Sequence, residues 1–202
     1  MELRQFFRSD LAKLSPYHID QPDHCVKLDA NESPFDLPTE IYAEISKEIS
    51  SLKFHRYPDP SAGRLRTAIS KMIGVDRDLI VVGNGSDELI GYIFQIFAKP
   101  DVQASFPSPT FSMYQIFAQI FGMSFTEIPL GSNFELIDET WQSHLNRYAK
   151  NLVFLAYPNN PTGNLFPEDI LHKILVRSDT VLILDEAYYE FSGKSLLSRL
   201  HQ

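Results

Sequence analysis

The amino-acid sequence predicts an α/β fold, in which a mainly parallel sheet carries helices on both faces. From Leu79 onward, short apolar runs alternate with amphipathic segments, and only short links separate them. Such alternation is typical of strand–helix–strand units, whose strands lie parallel. The 202 residues, of which 44% are hydrophobic and 22% charged, have the length and composition of one globular domain or slightly more.

The first part of the chain is predicted to be an arm followed by two helices. Residues 1–38 are expected to form an extended N-terminal arm, because prolines recur there and interrupt any periodic pattern. The next helix is expected to begin with Thr39 as its N-cap and to end near Leu52. A second helix is expected over Ala62–Gly74, where the final glycine suits a helix end. Residues 39–202 are expected to form one large domain.

The remaining elements are predicted in alternating order. The predicted strands are LIVVG (79–83), VQASF (102–106), SFTEI (124–128), LVFLA (152–156) and VLILD (181–185). The predicted helices are Ser86–Ala98, Thr110–Phe121, Asp138–Lys150 and Pro167–Val176. In sheets of this kind, ligands bind beyond the carboxyl ends of the strands. The unusual loops GNGSDE, YPNNPTGN and DEAYYEF all fall there, so we expect one pocket to collect them.

Charge and cysteine content exclude several classes of function. The net charge is −8, with 18 basic and 26 acidic residues and no basic cluster, so nucleic acid is not an expected partner. Cys25 is the single cysteine, which excludes an internal disulfide and makes a metal site unexpected. The N-terminus does not resemble a signal peptide, and no stretch approaches the roughly 20 apolar residues that cross a bilayer. We therefore expect a soluble, cytoplasmic protein with no membrane partner.

Two loops at the predicted strand ends carry polar groups that suit ligand binding. In GNGSDE, the helix start offers free N–H groups, the positive end of the helix dipole and the Ser86 hydroxyl, which together suit a phosphate. Ser86 equally suits an ordinary N-cap, with Asp87 and Glu88 as acidic first-turn residues. In YPNNPTGN, turn geometry explains the second proline and the glycine but not Asn159 and Asn160, whose amides we expect to serve a ligand.

Asp185 ends the last predicted strand, where a charged side chain needs a positive partner because its desolvation costs several kcal/mol. Two partners are open: an arginine of the chain, such as Arg177 or Arg199, or a protonated nitrogen of a bound cofactor. Tyr188 follows closely in the same motif. Phe111, in SPTFSMY, opens a predicted helix after another strand end, where an aromatic ring is either part of the core or a platform for a cofactor.

Six segments taken together resemble the pyridoxal-phosphate enzymes of the aspartate-aminotransferase fold (fold type I). They are LDANESPFDLP, RYPDP, VGNGSDELI, PSPTFSMY, PNNPTGN and LILDEAYYEF, in that family's order and spacing over nearly the whole chain. Within the group, the chain is most similar to the histidinol-phosphate aminotransferases, a branch that RYPDP and the early SPY favour. Threonine-phosphate decarboxylases and aromatic aminotransferases share the scaffold and remain alternatives, as does a non-catalytic fragment or binding module.

The resemblance implies pyridoxal 5′-phosphate as cofactor and assigns roles to residues of the strand-end loops. Asp185 would pair with the pyridinium nitrogen and keep it protonated, so that the ring accepts electrons from the substrate α-carbon. Asn160 and Tyr188 would hydrogen-bond the phenolic oxygen of the ring, and Phe111 would stack on its face. Asp185 and Tyr188 are the expected catalytic residues.

The resemblance also implies contacts to the phosphate, the substrate and a second subunit. Ser86 and the backbone of Asp87 would hold the 5′-phosphate. Tyr57 would reach the phosphate of the neighbouring subunit's cofactor, which implies a homodimer. Tyr17 and Asn160 would contact the amino-acid or keto-acid substrate. The implied reaction, in histidine biosynthesis, exchanges an amino group between L-histidinol phosphate/imidazole-acetol phosphate and glutamate/2-oxoglutarate.

One residue that the family requires has no match. The family's Schiff-base lysine follows the aspartate in a Ser-Lys context, and no such pair occurs between Asp185 and Gln202. Lys194 has the wrong spacing and is expected to be a solvated surface residue. We therefore expect the chain to be an N-terminal portion, an incomplete cofactor-binding large domain that is inactive alone. Its sheet would lack later strands, which predicts an exposed apolar edge.

Overall fold

The computed structural model of the chain describes residues 3–11, 26, 28 and 30–199. The helices are α1 (Thr39–Ser51), α2 (Gly63–Ile73), α3 (Gly85–Phe97), α4 (Met113–Ile120), α5 (Asp138–Leu145), α6 (Glu168–Leu175) and α7 (Tyr189–Ser192). The strands are β1 (Gln103–Ser108), β2 (Phe125–Pro129), β3 (Asn151–Ala156) and β4 (Thr180–Asp185). The chain divides into two compact units, one of Met1–Leu14 with Gly83–Gln202 and one of Ser15–Val82.

The four strands form one sheet in the order β2-β1-β3-β4, and every neighbouring pair is parallel. The chain leaves β1 for β2 on one side and then returns to β3 on the other, so the connections diverge between β1 and β3. Ligands bind at such a divergence because the loops after the strands open a crevice there. Ala156 and Asp185 are register partners, which brings the loops after β3 and β4 together. The predicted parallel sheet is confirmed.

Helices cover both faces of this sheet, as the sequence predicted. Successive side chains of β3 alternate between the faces, and all six residues are buried. Leu152 and Phe154 belong to a core cluster with residues of α3 and α4. Val153 and Leu155 belong to a second cluster with residues of α5 and α6. Burial on both faces explains why residues 152–156 of β3 are an uninterrupted apolar run in the sequence.

β4 forms one edge of the sheet. Within the part of the chain that the structure describes, β4 pairs with β3 alone. Unlike β3, it has no fully buried residue, and Val181 is 42% exposed. An apolar cavity of about 310 Å³ lies beside it, lined largely by leucines, among them Leu182 and Leu184. The exposed apolar edge therefore matches the expectation from the sequence.

One predicted strand, LIVVG (79–83), is wrong. Arg77–Leu79 instead forms a short 3₁₀ helix, and residues 80–83 are not in a strand. A strand needs a hydrogen-bonded neighbour, and no strand of the described residues pairs with this run. Val81 is accordingly 73% exposed. The apolar pattern was visible in the sequence, whereas the pairing that would make it a strand was not.

Two helix ends differ from the prediction, and at each a side chain from outside the helix forms a hydrogen bond to the segment that was predicted to be helical. α4 begins at Met113 rather than Thr110, whose hydroxyl donates to Asn159 Oδ1 at 2.8 Å. α5 ends at Leu145 rather than Lys150, because the amide of Asn151 donates to the carbonyls of Leu145 and Tyr148 at 3.2 and 3.3 Å.

Two helix boundaries in the second unit lie within one residue of the prediction. α1 has Pro38 as its N-cap, so the prediction that Thr39 caps this helix is wrong by one position. α2 ends at Ile73 with the predicted glycine, Gly74, as its C-cap, and the Gly74 φ of 73° is in the left-handed region. Residues 1, 2, 12–25, 27 and 29 of the predicted arm lie outside the described residues, so the boundary between arm and large domain stays a prediction.

Two classes of feature are missing from the described ranges. No helix in residues 3–11 or 30–199 is both long enough and apolar enough to cross a membrane. In the same part of the chain, no three His, Cys, Asp or Glu side chains are arranged to hold a metal ion.

Candidate active site

A small cavity lies at the carboxyl ends of the strands, in the unit that contains the sheet. It is lined by residues from the start of α3 and from the ends of β3 and β4 with the loops after β1, β3 and β4: Ser86, Phe111, Ala156, Pro158, Asn160, Asp185, Ala187 and Tyr188. The structure therefore brings together most of the side chains that the sequence singled out. A larger cavity of about 400 Å³ beside β2 and α5 contains none of them, so volume alone does not identify the site.

Asp185 is held in a defined orientation at the end of β4. Tyr114 Oη donates to Asp185 Oδ2 at 2.9 Å, and the Ala187 N–H donates to Oδ1 at 3.1 Å. The main chain is fixed as well, since the Tyr157 N–H donates to the Asp185 carbonyl at 2.8 Å. A carboxylate oxygen accepts about two hydrogen bonds, so this half-buried group keeps capacity for a donor in the cavity.

No Lys, Arg or His of the described residues forms an ion pair with Asp185. Arg177, one of the two arginines considered above, instead donates two hydrogen bonds to Asp179, at 2.9 and 2.8 Å, beyond the opposite end of β4. The neighbouring carboxylate, Glu186, accepts hydrogen bonds from Ser195 Oγ at 2.6 Å and the Leu196 N–H at 2.8 Å. Glu186 thus has a structural role, whereas Asp185 has no positively charged partner among the residues that the structure describes.

Ser86, in the first turn of α3, lines the cavity. Asn84 is the N-cap, so the interpretation of Ser86 as an N-cap is wrong. The carboxylate of Glu88 reaches back to accept the Asn84 N–H and also accepts the Tyr92 hydroxyl. Gly85, with a φ of 79°, makes the turn into the helix. The first N–H groups of a helix have no acceptor within it, so they suit an anionic ligand.

The two adjacent asparagines of the loop after β3 have different roles. Asn159 is 2% exposed and joins this loop to the one after β1. It accepts the Thr110 hydroxyl at 2.8 Å and donates to the Pro109 carbonyl at 3.2 Å and to Thr162 Oγ1 at 2.7 Å. Asn160 is only partly buried and lines the cavity. The sequence predicted ligand contact for both, and the structure supports it for Asn160 alone.

Phe111 is both a core residue and a wall of the cavity. Its half-buried ring packs against the first core cluster. It meets the ring of Tyr114 edge-on, with centroids 5.6 Å apart and an interplanar angle of 87°. Tyr114 is fully buried and stacks on Phe154 with centroids 5.2 Å apart. The two readings of Phe111, as core and as platform, are therefore compatible.

Negative charge dominates the electrostatics around Asp185. Partial desolvation and the charge of Asp185 raise the pKa of Asp87. Burial, and then the charge of Asp185 and the hydrogen bond to it, raise the pKa of Tyr114, which therefore stays protonated and donates. A cation in the cavity would compensate this charge, because opposite charges a few ångströms apart stabilise each other.

Some predicted residues are not part of the cavity lining. Tyr17 lies outside the described residues. Tyr57 belongs to the other unit, where its side chain is fully exposed. Asp87 follows Ser86 in α3 without lining the cavity. Lys194 is exposed, as expected.

The role of Tyr114 and the supporting role of Asn159 were not predicted from the sequence. Tyr114 lies three residues after Phe111, a spacing that places both on one side of a helical turn. That spacing was the available signal, but a tyrosine in an apolar helix reads as an ordinary core residue. Asn159 and Asn160 are identical in type, so nothing in the sequence separates them.

Comparisons with known proteins agree with this picture. Residues 23–201 match the family described as aminotransferase class I and II. The chain is 39% identical over 193 residues to histidinol-phosphate aminotransferase of Pyrococcus furiosus, covering 96% of this chain and 56% of that relative. It is 41% identical over 201 residues to histidinol-phosphate aminotransferase 1 of Carboxydothermus hydrogenoformans, covering 99% and 57%. The chain spans about half the length of the curated relatives it matches.

Solved structures have the same fold. Histidinol-phosphate aminotransferase from Clostridium acetobutylicum matches with a TM-score of 0.72 and 26% identity, over 84% of this chain and 50% of that one. The Sinorhizobium meliloti enzyme, in complex with pyridoxal-5′-phosphate, gives a TM-score of 0.70 and 25% identity, over 80% and 44%. Since the family match takes in most of the sequence and the fold is that of these enzymes, the chain belongs to the aminotransferase class I and II family.

Proposed function

We propose that the cavity binds pyridoxal 5′-phosphate and that the protein is a cytoplasmic aminotransferase dependent on this cofactor. The observation that carries the proposal is Asp185, a carboxylate beside Asn160 and Tyr188 with no cationic partner among the described residues. A protonated ring nitrogen would supply the positively charged partner that Asp185 lacks among the described residues. Family membership and the cofactor named for the Sinorhizobium meliloti structure support this assignment.

The residues around the cavity fit the chemical groups of the cofactor. The carboxylate of Asp185 suits a protonated ring nitrogen, and the start of α3 with the Ser86 hydroxyl and the Asp87 N–H suits a phosphate. Asn160 and Tyr188 offer side-chain donors for the phenolic oxygen. When bound, the cofactor supplies an electron-accepting ring that stabilises negative charge at the substrate α-carbon.

Each of these side chains then has a defined task. Asp185 holds the proton on the ring nitrogen, because a nearby opposite charge favours the charged form. Asn160 and Tyr188 would hold the ring by its phenolic oxygen, and Phe111 would contact the ring. The α3 start and Ser86 would hold the phosphate.

We propose L-histidinol phosphate/imidazole-acetol phosphate and glutamate/2-oxoglutarate as the substrate pairs, in histidine biosynthesis. The support is the identity of 31–41% to relatives named histidinol-phosphate aminotransferase. We also propose a homodimer in which Tyr57 reaches the cofactor phosphate of the second subunit, with Tyr17 near the substrate. No lysine lines the cavity within the described residues, so we propose that this chain by itself does not complete transamination.

Replacing Asp185 with asparagine tests the proposal through cofactor binding. We expect the purified chain to bind pyridoxal 5′-phosphate in equilibrium dialysis, with cofactor absorbance as the signal. Asp185→Asn should raise the Kd about tenfold or more, because tenfold corresponds to about 1.4 kcal/mol, within the range of one charge-assisted hydrogen bond.

Asp179→Asn is the matched control. It makes the same change beyond the other end of β4, where Asp179 pairs with Arg177. This variant should bind the cofactor with unchanged affinity. A chain that binds no pyridoxal 5′-phosphate, or an equal effect of the two substitutions, would contradict the proposed function.

A further inference from the structure

Tyr114 is a core residue whose one polar side-chain atom is directed at the candidate site. Its side chain is fully buried, and its ring packs against Phe154, with centroids 5.2 Å apart, and Phe106, with centroids 6.0 Å apart. Its hydroxyl donates to Asp185 Oδ2 at 2.9 Å. A buried tyrosine hydroxyl generally finds a hydrogen-bond partner, but here that partner is the carboxylate on which the proposed cofactor site depends.

The same ring also contacts the aromatic wall of the cavity. Phe111 meets Tyr114 edge-on at 5.6 Å and 87°. One rigid, buried side chain therefore touches both the carboxylate and the aromatic ring that border the cavity. Tyr114 itself does not line the cavity.

We propose that Tyr114 is a positioning residue, which holds the Asp185 carboxylate and the Phe111 ring in fixed relation so that a cationic ring can meet both at once. This inference rests on the proposed function, because it assigns Tyr114 a role toward a cofactor that it does not touch. The sequence motifs assign no role to Tyr114.

The physical basis is the fixed plane of the carboxylate. The Ala187 N–H holds Oδ1 and the Tyr114 hydroxyl holds Oδ2, so two donors on different oxygens stop rotation about the last side-chain bond. Without the hydroxyl, only the Ala187 N–H remains as a donor, and the carboxylate plane is held less firmly. Burial and the neighbouring carboxylate raise the pKa of Tyr114, so the phenol keeps its proton at neutral pH.

Tyr114→Phe tests this role, because it removes the hydroxyl and keeps the packed ring. The probes are pyridoxal 5′-phosphate and its 1-deaza analogue, in which a CH group replaces the ring nitrogen. We expect Tyr114→Phe to weaken binding of the first about fivefold or more, which corresponds to about 1 kcal/mol, the net contribution of a typical hydrogen bond, and to leave binding of the analogue unchanged. In an Asp185→Asn background, Tyr114→Phe should have no further effect on either probe.

Tyr42→Phe is the control. It removes another tyrosine–carboxylate hydrogen bond, from Tyr42 Oη to Asp36 Oδ1, in the other unit of the chain. Both probes should bind this variant as they bind the unchanged chain. Thermal unfolding followed by circular dichroism is measured for every variant.

The outcomes separate the two proposals. If the unchanged chain binds no pyridoxal 5′-phosphate, the proposed function fails and this inference fails with it. If that chain binds the cofactor and Tyr114→Phe has no effect, or weakens both probes equally, the positioning role is overturned while the proposed function stands. A Tyr114→Phe variant that does not fold would also overturn it, since the hydroxyl would then be a requirement of the core.

Discussion

Asn159 and Asn160 are adjacent and of the same type, but Asn159 stabilises the loop after β3 whereas Asn160 lines the cavity. Asn159 makes its hydrogen bonds within the protein, to Thr110, Pro109 and Thr162, and is almost fully buried. Asn160 faces the cavity. Asn159 therefore holds the loop after β3 in place, and Asn160 is the asparagine available to a ligand.

We predict that alanine substitutions separate these roles. Asn159→Ala should lower the free energy of unfolding by about 2–3 kcal/mol, because it leaves buried partners without their hydrogen bonds. Asn160→Ala should change it by less than about 0.5 kcal/mol, as is usual for a side chain outside the core, while weakening cofactor binding. Urea denaturation gives the first quantity and equilibrium dialysis the second. Equal losses of stability in the two variants would contradict the assignment.

Residue type and position marked several residues of the cavity lining as candidates, and the family resemblance assigned their roles. Asp185, Asn160 and Ser86 stand out because polar groups follow apolar runs at the strand ends. Tyr114 could not be found this way, because its position in an apolar helix is what a core residue requires. Its link to Asp185 depends on a contact between α4 and β4 that only the folded chain creates.

Among the elements, α5 is joined to β1 by a buried polar pair. Ser105 Oγ, on β1, lies 2.8 Å from His144 Nε2, on α5. His144 is 7% exposed, and desolvation followed by the charge of Arg147 lowers its pKa. The folded chain therefore takes up the proton of this imidazole less readily than the unfolded chain does.

This difference predicts a pH dependence of stability. Since the pKa of His144 is lowered on folding, its contribution is complete above the unfolded value of about 6.5 and is lost as the pH falls below it. We expect the free energy of unfolding to decrease between about pH 7 and pH 5, and His144→Gln to reduce that decrease. His172→Gln, at an exposed position on α6, is the control and should leave the slope unchanged. An unaltered slope in His144→Gln would contradict the prediction.

Elements with a clear apolar pattern were predictable, and their ends were less so. β1, β2, β3 and β4 all lie where short apolar runs predicted them, because burial in a sheet leaves that pattern in the sequence. The strand predicted at 79–83 failed, since a strand depends on a partner that the local pattern does not reveal. The ends of α4 and α5 were missed because side chains outside those helices, Asn159 and Asn151, bind at them.

For the whole molecule, activity is the property to test. The chain spans about half the length of its curated relatives, so the assay uses the longest polypeptide expressed from the gene that encodes it. We expect amino transfer from glutamate to imidazole-acetol phosphate with a kcat/KM at least about tenfold above that for aromatic keto acids, because charge-assisted hydrogen bonds to a phosphate contribute about 1.5–3 kcal/mol. Formation of 2-oxoglutarate reports the rate. Equal rates with both acceptors would instead favour an aromatic aminotransferase.

The outer side of β4 has a practical consequence for handling the protein. Unpaired main-chain N–H and C=O groups along a strand edge can hydrogen-bond to an extended peptide. The leucine-lined cavity beside β4 could receive apolar side chains of that peptide. In concentrated solution, the nearest such peptide is a stretch of another copy that has transiently opened. Losses during purification would then increase with protein concentration, and dilution would reduce them.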